Sequence, residues 1–296
     1  GELLAGIAPE LAAIADVTEA PFRRLRAHAM TDADLADLTD LVTGILALGK
    51  ADGVVVTHGT NTLEETAWLL HLTVATDAPI VITGAMRPAS ALSGDGPLNL
   101  VNAVRVAALA SARRLGVLVV MDDTINGARD VTKRNTLRVD AFASPITGPI
   151  GRIDGDGRVV ITARPARGSS LRGAYAHIDL RALQRVDVVA SYQGADGALI
   201  DAAIAAGARG IVSAGTGAGY PTPLEVEALE RASAAGVLVC QASRVGSGRV
   251  PPTPSMAKRG WIAADDLVPW KARVLLRLAL AGGESPQVIA ERFAAE

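Results

Sequence analysis

Short apolar runs alternate along this chain with longer stretches in which apolar positions recur every three or four residues. The first pattern reads as buried strands and the second as amphipathic helices. Residues 32–48 carry the helical period, with Thr31 as a cap. Residues 54–56 read as a strand, and 62–72 as a helix in which Thr62 and Glu65 have capping-box spacing. A strand follows at 79–83, a helix at 98–110 after the Asp95-Gly96-Pro97 turn, and a strand at 116–121. Strand–helix alternation of this kind predicts a parallel, doubly wound sheet. Gly151, Gly155 and Gly157 then punctuate β-branched residues at 158–162, which predicts a closing β-hairpin.

Periodicity weakens through an Arg-, Gly- and Ser-rich stretch and resumes at 186. Strands are expected at 186–191, 210–214 and 237–242, and helices at 195–206, 222–235 and 270–281. The expected organisation is therefore α/β in two domains with mainly parallel sheets. Residues 1–165 form the first, 166–185 a linker and 186–296 a smaller second domain. The opening residues, 1–15, are helix-like in pattern.

Composition narrows the function classes. Of 296 residues, 49% are apolar, and the formal net charge is −2, with no basic stripe interleaved with aromatics. Nucleic acid and anionic membrane are therefore not the expected partners. Cys240 is the only cysteine, which excludes an intrachain disulfide and a cysteine-built zinc site. The four histidines, His28, His58, His71 and His177, lack HExxH spacing, and no apolar run is long enough to span a bilayer. Neither of these metal-site patterns is present.

Candidate chemistry gathers at strand ends. Glycine-rich strings follow strands at 57–61 (THGTN), 83–88 (TGAMRP), 213–219 (SAGTGAG) and 243–248 (SRVGSG). In open parallel sheets the ligand crevice lies beyond the carboxyl ends of strands. None of these strings is a GxGxxG opening a helix, which argues against a dinucleotide site. Thr60 and Asn61 sit between strand and helix, where capping and ligand binding are both open readings. Lys133 stands alone between Thr132 and Arg134, a setting shared by many surface lysines, and Asp122 and Asp123 fit a turn.

Four strings taken together are more specific: THGTNTLEETAWLL, ITGAMRPASALSGDGPLNLVNAV, GVLVVMDD followed by ARDVTKRNT, and KARVLLRLAL. In order and spacing they resemble the bacterial L-asparaginase family, and the resemblance runs almost the length of the chain. It implies an asparaginase-like fold of two α/β domains and a homotetramer built from close dimers. It also implies cofactor-free hydrolysis of L-asparagine to L-aspartate and ammonia through a threonine nucleophile, often with weaker glutaminase activity. The expected partner is a small-molecule amide and the expected compartment the cytoplasm.

The family uses two threonines. The second falls on Thr60 and its lysine partner on Lys133, with Gly59, Thr60, Asn61 and Ala85 in the substrate-binding strings and Ala27 at a substrate-holding serine position. The first threonine, on an N-terminal strand and lid, corresponds to no residue here; a chain truly starting at Gly1 is expected to leave the crevice open, leave a strand unpaired, and lose stability. The family's aspartate after the second threonine is Asn61, and Arg26-Ala27-His28-Ala29-Met30 replaces a Ser-x-Asp-Met segment. Gly194 and Thr253 fall near an asparagine and a glutamate of type II members. These departures keep two alternatives beside ordinary asparaginase activity: a catalytically impaired ligand- or partner-binding protein, and an amidase for substrates without a free α-ammonium.

Overall fold

In the computed structural model, which describes residues 6–294, the chain divides into two units between Ala176 and His177. The first unit opens with a short helix, α1 (Ala8–Ala12), whose Leu11 packs with Leu100, Val101 and Val104. The first five residues of the helix-like opening stretch lie outside the described residues. Helix α2 (Asp32–Ala47) begins at the expected cap. The Thr31 hydroxyl accepts from the Asp34 N–H while the Asp34 carboxylate accepts from the Thr31 N–H, a reciprocal box that satisfies two orphan donors.

Strand β1 (Val54–Thr57) runs into the glycine turn and then into α3 (Leu63–Thr73). Strand β2 (Ile80–Thr83), helix α4 (Gly96–Ala107) and strand β3 (Val117–Met121) follow, and β1, β2 and β3 pair in parallel. Alternate residues of the strands serve opposite faces. Ile80, Ile82, Val117 and Val119 join Leu38, Val42, Leu63, Ala67 and Leu70 of α2 and α3. Val81, Leu118 and Val120 instead join Ala103 and Val106 of α4. Helices on both faces are what make these strands continuous apolar runs.

Beyond β3 the sheet stops being parallel. Strand β4 (Thr124–Gly127) returns antiparallel to β3 through Asp122-Asp123, both with positive φ, as a two-residue type I′ turn requires. A separate two-stranded ribbon, β5 (Thr132–Lys133) with β6 (Phe142–Ala143), lies outside the sheet. Strands β7 (Gly151–Ile153) and β8 (Val159–Ile161) form the expected hairpin and complete a sheet of order β1-β2-β3-β4-β7-β8. The stretch read as a linker is not a free tether over its first half. Gly173 and Tyr175 donate N–H bonds to the carbonyls of His71 and Leu72 at the end of α3, and Tyr175 is buried.

The second unit holds a wholly parallel sheet of order β12-β11-β10-β9, built from β9 (Val186–Ala190), β10 (Gly210–Gly215), β11 (Leu238–Ser243) and β12 (Ile262–Ala263). Its helices are α5 (Ala198–Ala205), α6 (Pro223–Ala234), α7 (Pro254–Arg259), α8 (Pro269–Ala281) and α9 (Pro286–Ala294). Ile200, Ala228 and Leu229 pack with Val189, Ile211 and Val239, while α8 lies against β9 and β10. Cys240 is buried in β11, and burial pushes its thiol well above the ordinary range, so it is no nucleophile.

Candidate functional site

Thr60 owes its position to the end of β1. The His58 N–H donates to the Thr83 carbonyl (2.8 Å), carrying the β1–β2 ladder into the turn. Gly84, just past β2, comes so close that a Cβ there would sit 2.4 Å from the His58 carbonyl oxygen and 3.3 Å from Thr60 Cγ2. Only glycine lets the two loops meet in this way. On the other side the 3₁₀ turn Ala27–Ala29 closes in: a Cβ on Gly59 would meet the Ala27 Cβ at 3.0 Å.

Side-chain hydrogen bonds hold the turn. His58 Nδ1–H donates to the Gly59 carbonyl (2.7 Å), which leaves Nε2 to accept from the Thr66 hydroxyl (3.0 Å). The capping box expected of Thr62 and Glu65 does not form. The Thr62 hydroxyl instead donates to the Ala27 carbonyl (3.0 Å), tying the helix start to the 3₁₀ turn rather than capping α3. Asn61 is exposed, and its Nδ2 lies 3.3 Å from His28 Nδ1 as donor.

Burial pushes the His58 imidazole below its ordinary value of 6.5, against a smaller opposing effect of the Gly59 carbonyl. The sign of the linkage follows. As pH falls through about 6.5 the unfolded chain binds a proton that the folded chain resists, so stability is lost on acidification. The midpoint of urea unfolding is expected to fall between about pH 7.5 and pH 5.5, and to fall less in His58→Gln, which carries no titrating ring.

Lys133 arrives from the ribbon. Its Nζ donates to Thr60 Oγ1 at 2.9 Å, across 73 residues of sequence, and lies 5.9 Å from the centre of the Phe142 ring. Its backbone N–H donates to Glu64 Oε1 (3.1 Å). Burial lowers the lysine's proton affinity and the Glu64 charge partly restores it, leaving Lys133 below the ordinary lysine range. A hydroxyl and an amine in hydrogen-bond contact, the amine closer to neutrality than usual, can pass a proton between them.

Thr60, Lys133, Gly59, Asn61 and Ala27 are thus gathered at one place. Ala85 stands exposed one residue beyond Gly84, and a Cβ on Gly96 would lie 3.3 Å from its Cβ. Thr253 caps α7 by accepting from the Met256 N–H, and Gly194 has a positive φ in a turn. Glu64 was legible only as one more acid in a helix's first turn, although it is 5% exposed. No group of three or more His, Cys, Asp or Glu residues suited to a metal ion occurs among the described residues. No described helix is long and apolar enough to cross a membrane.

Comparison with known proteins gives a consistent result over the whole chain. The family described as Asparaginase, N-terminal, matches residues 1–167, and the Glutaminase/Asparaginase C-terminal domain matches residues 185–293. The chain is 40% identical over 292 residues to L-asparaginase 2 of Bacillus subtilis, covering 99% of this chain and 77% of that protein. It is 43% identical over 246 residues to L-asparaginase 2 of Escherichia coli, covering 82% and 70%. The crystal structure of a probable cytoplasmic L-asparaginase from Campylobacter jejuni superposes with a TM-score of 0.93 at 38% identity, covering 100% of this chain and 90% of that one.

Proposed function

Since the chain belongs to the asparaginase family, we propose that it hydrolyses the side-chain amide of L-asparagine to L-aspartate and ammonia, with Thr60 and Lys133 as catalytic residues. The observation that carries this reading is the 2.9 Å contact between Lys133 Nζ and Thr60 Oγ1. In the proposed reaction the neutral Lys133 amine takes the Thr60 hydroxyl proton as Oγ1 attacks the amide carbon. The resulting ammonium then protonates the departing nitrogen as the C–N bond breaks, releasing ammonia. Water attacks the ester left on Thr60, gives its proton to the amine, and the ammonium returns one to Oγ1. Every proton is accounted for without a further group.

Gly59, Asn61, Ala27 and Ala85 are the proposed substrate-binding positions. The name shared by the C-terminal family supports a secondary activity on glutamine. A homo-oligomer assembled from close dimers is proposed from the family resemblance, and a cytoplasmic location from the likeness to the Campylobacter jejuni protein so titled. The test is ammonia release from asparagine and glutamine by purified protein at high concentration. Release that follows Thr60 and Lys133 supports the proposal, and none from either amino acid overturns it.

A second reading is favoured by Asn61 and Ala27. An exposed carboxamide engaged with His28 offers a substrate ammonium no charge, and Ala27 offers it no hydroxyl. An amide lacking the α-amine meets neither deficit.

A further inference from the structure

Lys133 reaches Thr60 from a ribbon of two-residue strands that belongs to neither sheet. Something must hold that ribbon against the strand–turn–helix unit at a spacing fit for proton transfer, because a misplacement of about 1 Å can cost about a hundredfold in rate. The Lys133–Thr60 contact cannot do this alone, since it has to loosen and re-form during reaction.

Val131, Ala141 and Phe142 seat the ribbon in the core, and Glu64 fixes the Lys133 backbone itself. It lies in the first turn of α3, four residues after Thr60, and is 5% exposed. One oxygen accepts the Lys133 backbone N–H (3.1 Å). The other, Oε2, is buried without a hydrogen-bond partner among the described residues. A buried carboxylate with half its acceptors uncommitted is costly to keep, and an amide would accept the same N–H with less penalty. The first turn of a helix eases that cost without removing it. What the carboxylate supplies beyond an acceptor is charge, and the nearby ammonium is where that charge acts.

We propose that Glu64 is the positioning residue of this site: one oxygen pins the Lys133 backbone beside Thr60, and the buried carboxylate sets its charge beside the Lys133 side chain. The other titratable groups around the lysine do not offer the same. Burial lowers the proton affinity of His58, and Asp140 is engaged with Arg134 and Arg138 on the exposed side of the ribbon. The two functions separate by substitution. Glu64→Gln keeps an oxygen for the Lys133 N–H and removes the charge. Glu64→Asp keeps the charge and shortens the reach.

The inference rests on reading Thr60 and Lys133 as the reacting pair, so its test includes a measurement that needs no turnover. The chain has four lysines, Lys50, Lys133, Lys258 and Lys271. Carbon-13 labelling at lysine Cε, with Lys133 assigned by its loss in Lys133→Arg, follows each titration by NMR. In Glu64→Gln the Lys133 titration is expected to move to lower pH by about one unit or more, with its backbone amide still protected from exchange. The lysine-dependent limb of the rate–pH profile should move the same way while KM holds. In Glu64→Asp the titration should stay near that of the parent while amide protection drops. If Glu64→Gln fails to fold, the Glu64→Asp measurements decide. A Lys133 titration that does not move in Glu64→Gln, or an amide as protected in Glu64→Asp as in the parent, overturns the proposal. Absence of ammonia release alongside the expected NMR shifts counts against the catalytic reading and leaves the role of Glu64 standing.

Discussion

Thr60→Val is expected to reduce kcat for asparagine by about a thousandfold or more while leaving the fold and melting temperature close to those of the parent. Valine matches threonine in shape and removes only the hydroxyl. Thr60 is half-buried, and among the described residues its hydroxyl makes one hydrogen bond, with Lys133 Nζ. Removing it therefore strands no buried backbone group, and the structural cost is small. The chemical cost is the whole of the oxygen that Lys133 would deprotonate. Steady-state kinetics on variant and parent, with circular dichroism to check the fold, measure it. Activity within about tenfold of the parent would remove Thr60 from the reaction.

The second large effect runs the other way. Asn61→Asp, combined with Ala27→Ser, is expected to raise kcat/KM for asparagine by about 10- to 150-fold, the equivalent of one charge-assisted hydrogen bond worth about 1.5–3 kcal/mol. The new carboxylate gives a substrate ammonium an ion-pairing partner at an exposed position. The serine introduces a hydroxyl where the Ala27 Cβ already reaches toward Gly59. Succinamic acid, which keeps the amide and lacks the amine, is the control substrate, and its turnover should not rise. A parent that prefers succinamic acid to asparagine, reversed by the double substitution, would establish the amine-free amide as the substrate class. Unchanged kinetics on both substrates would show that these two positions do not set specificity.

Much of this architecture could be read from the chain. The helical period of α2 and its Thr31 cap, the apolar strands β1 to β3, and the strand–helix alternation of the second unit follow from local patterns that packing reinforces. The reversal at β4 was hidden because its turn is Asp122-Asp123 rather than the Asn-Gly or Asp-Gly that announces a type I′ hairpin. The Thr62–Glu65 box failed because a tertiary acceptor, the Ala27 carbonyl, took the Thr62 hydroxyl. At the site, spacing alone could not join Thr60 to Lys133, and only the family resemblance brought them together before the fold did. Glu64 escaped both routes. In the helical pattern it is an acid where acids are common, and its meaning lies in a burial that only the folded chain displays.

The ribbon that carries Lys133 has one more consequence. The ribbon is only two short strands, yet Val131, Ala141 and Phe142 are buried in the same cluster as Ile80, Ile82, Val117 and Val119 of the sheet from which Thr60 hangs. The two halves of the site therefore share one cooperative core. Heat should silence the enzyme as it melts it, activity and the spectroscopic signature of the fold falling along one curve.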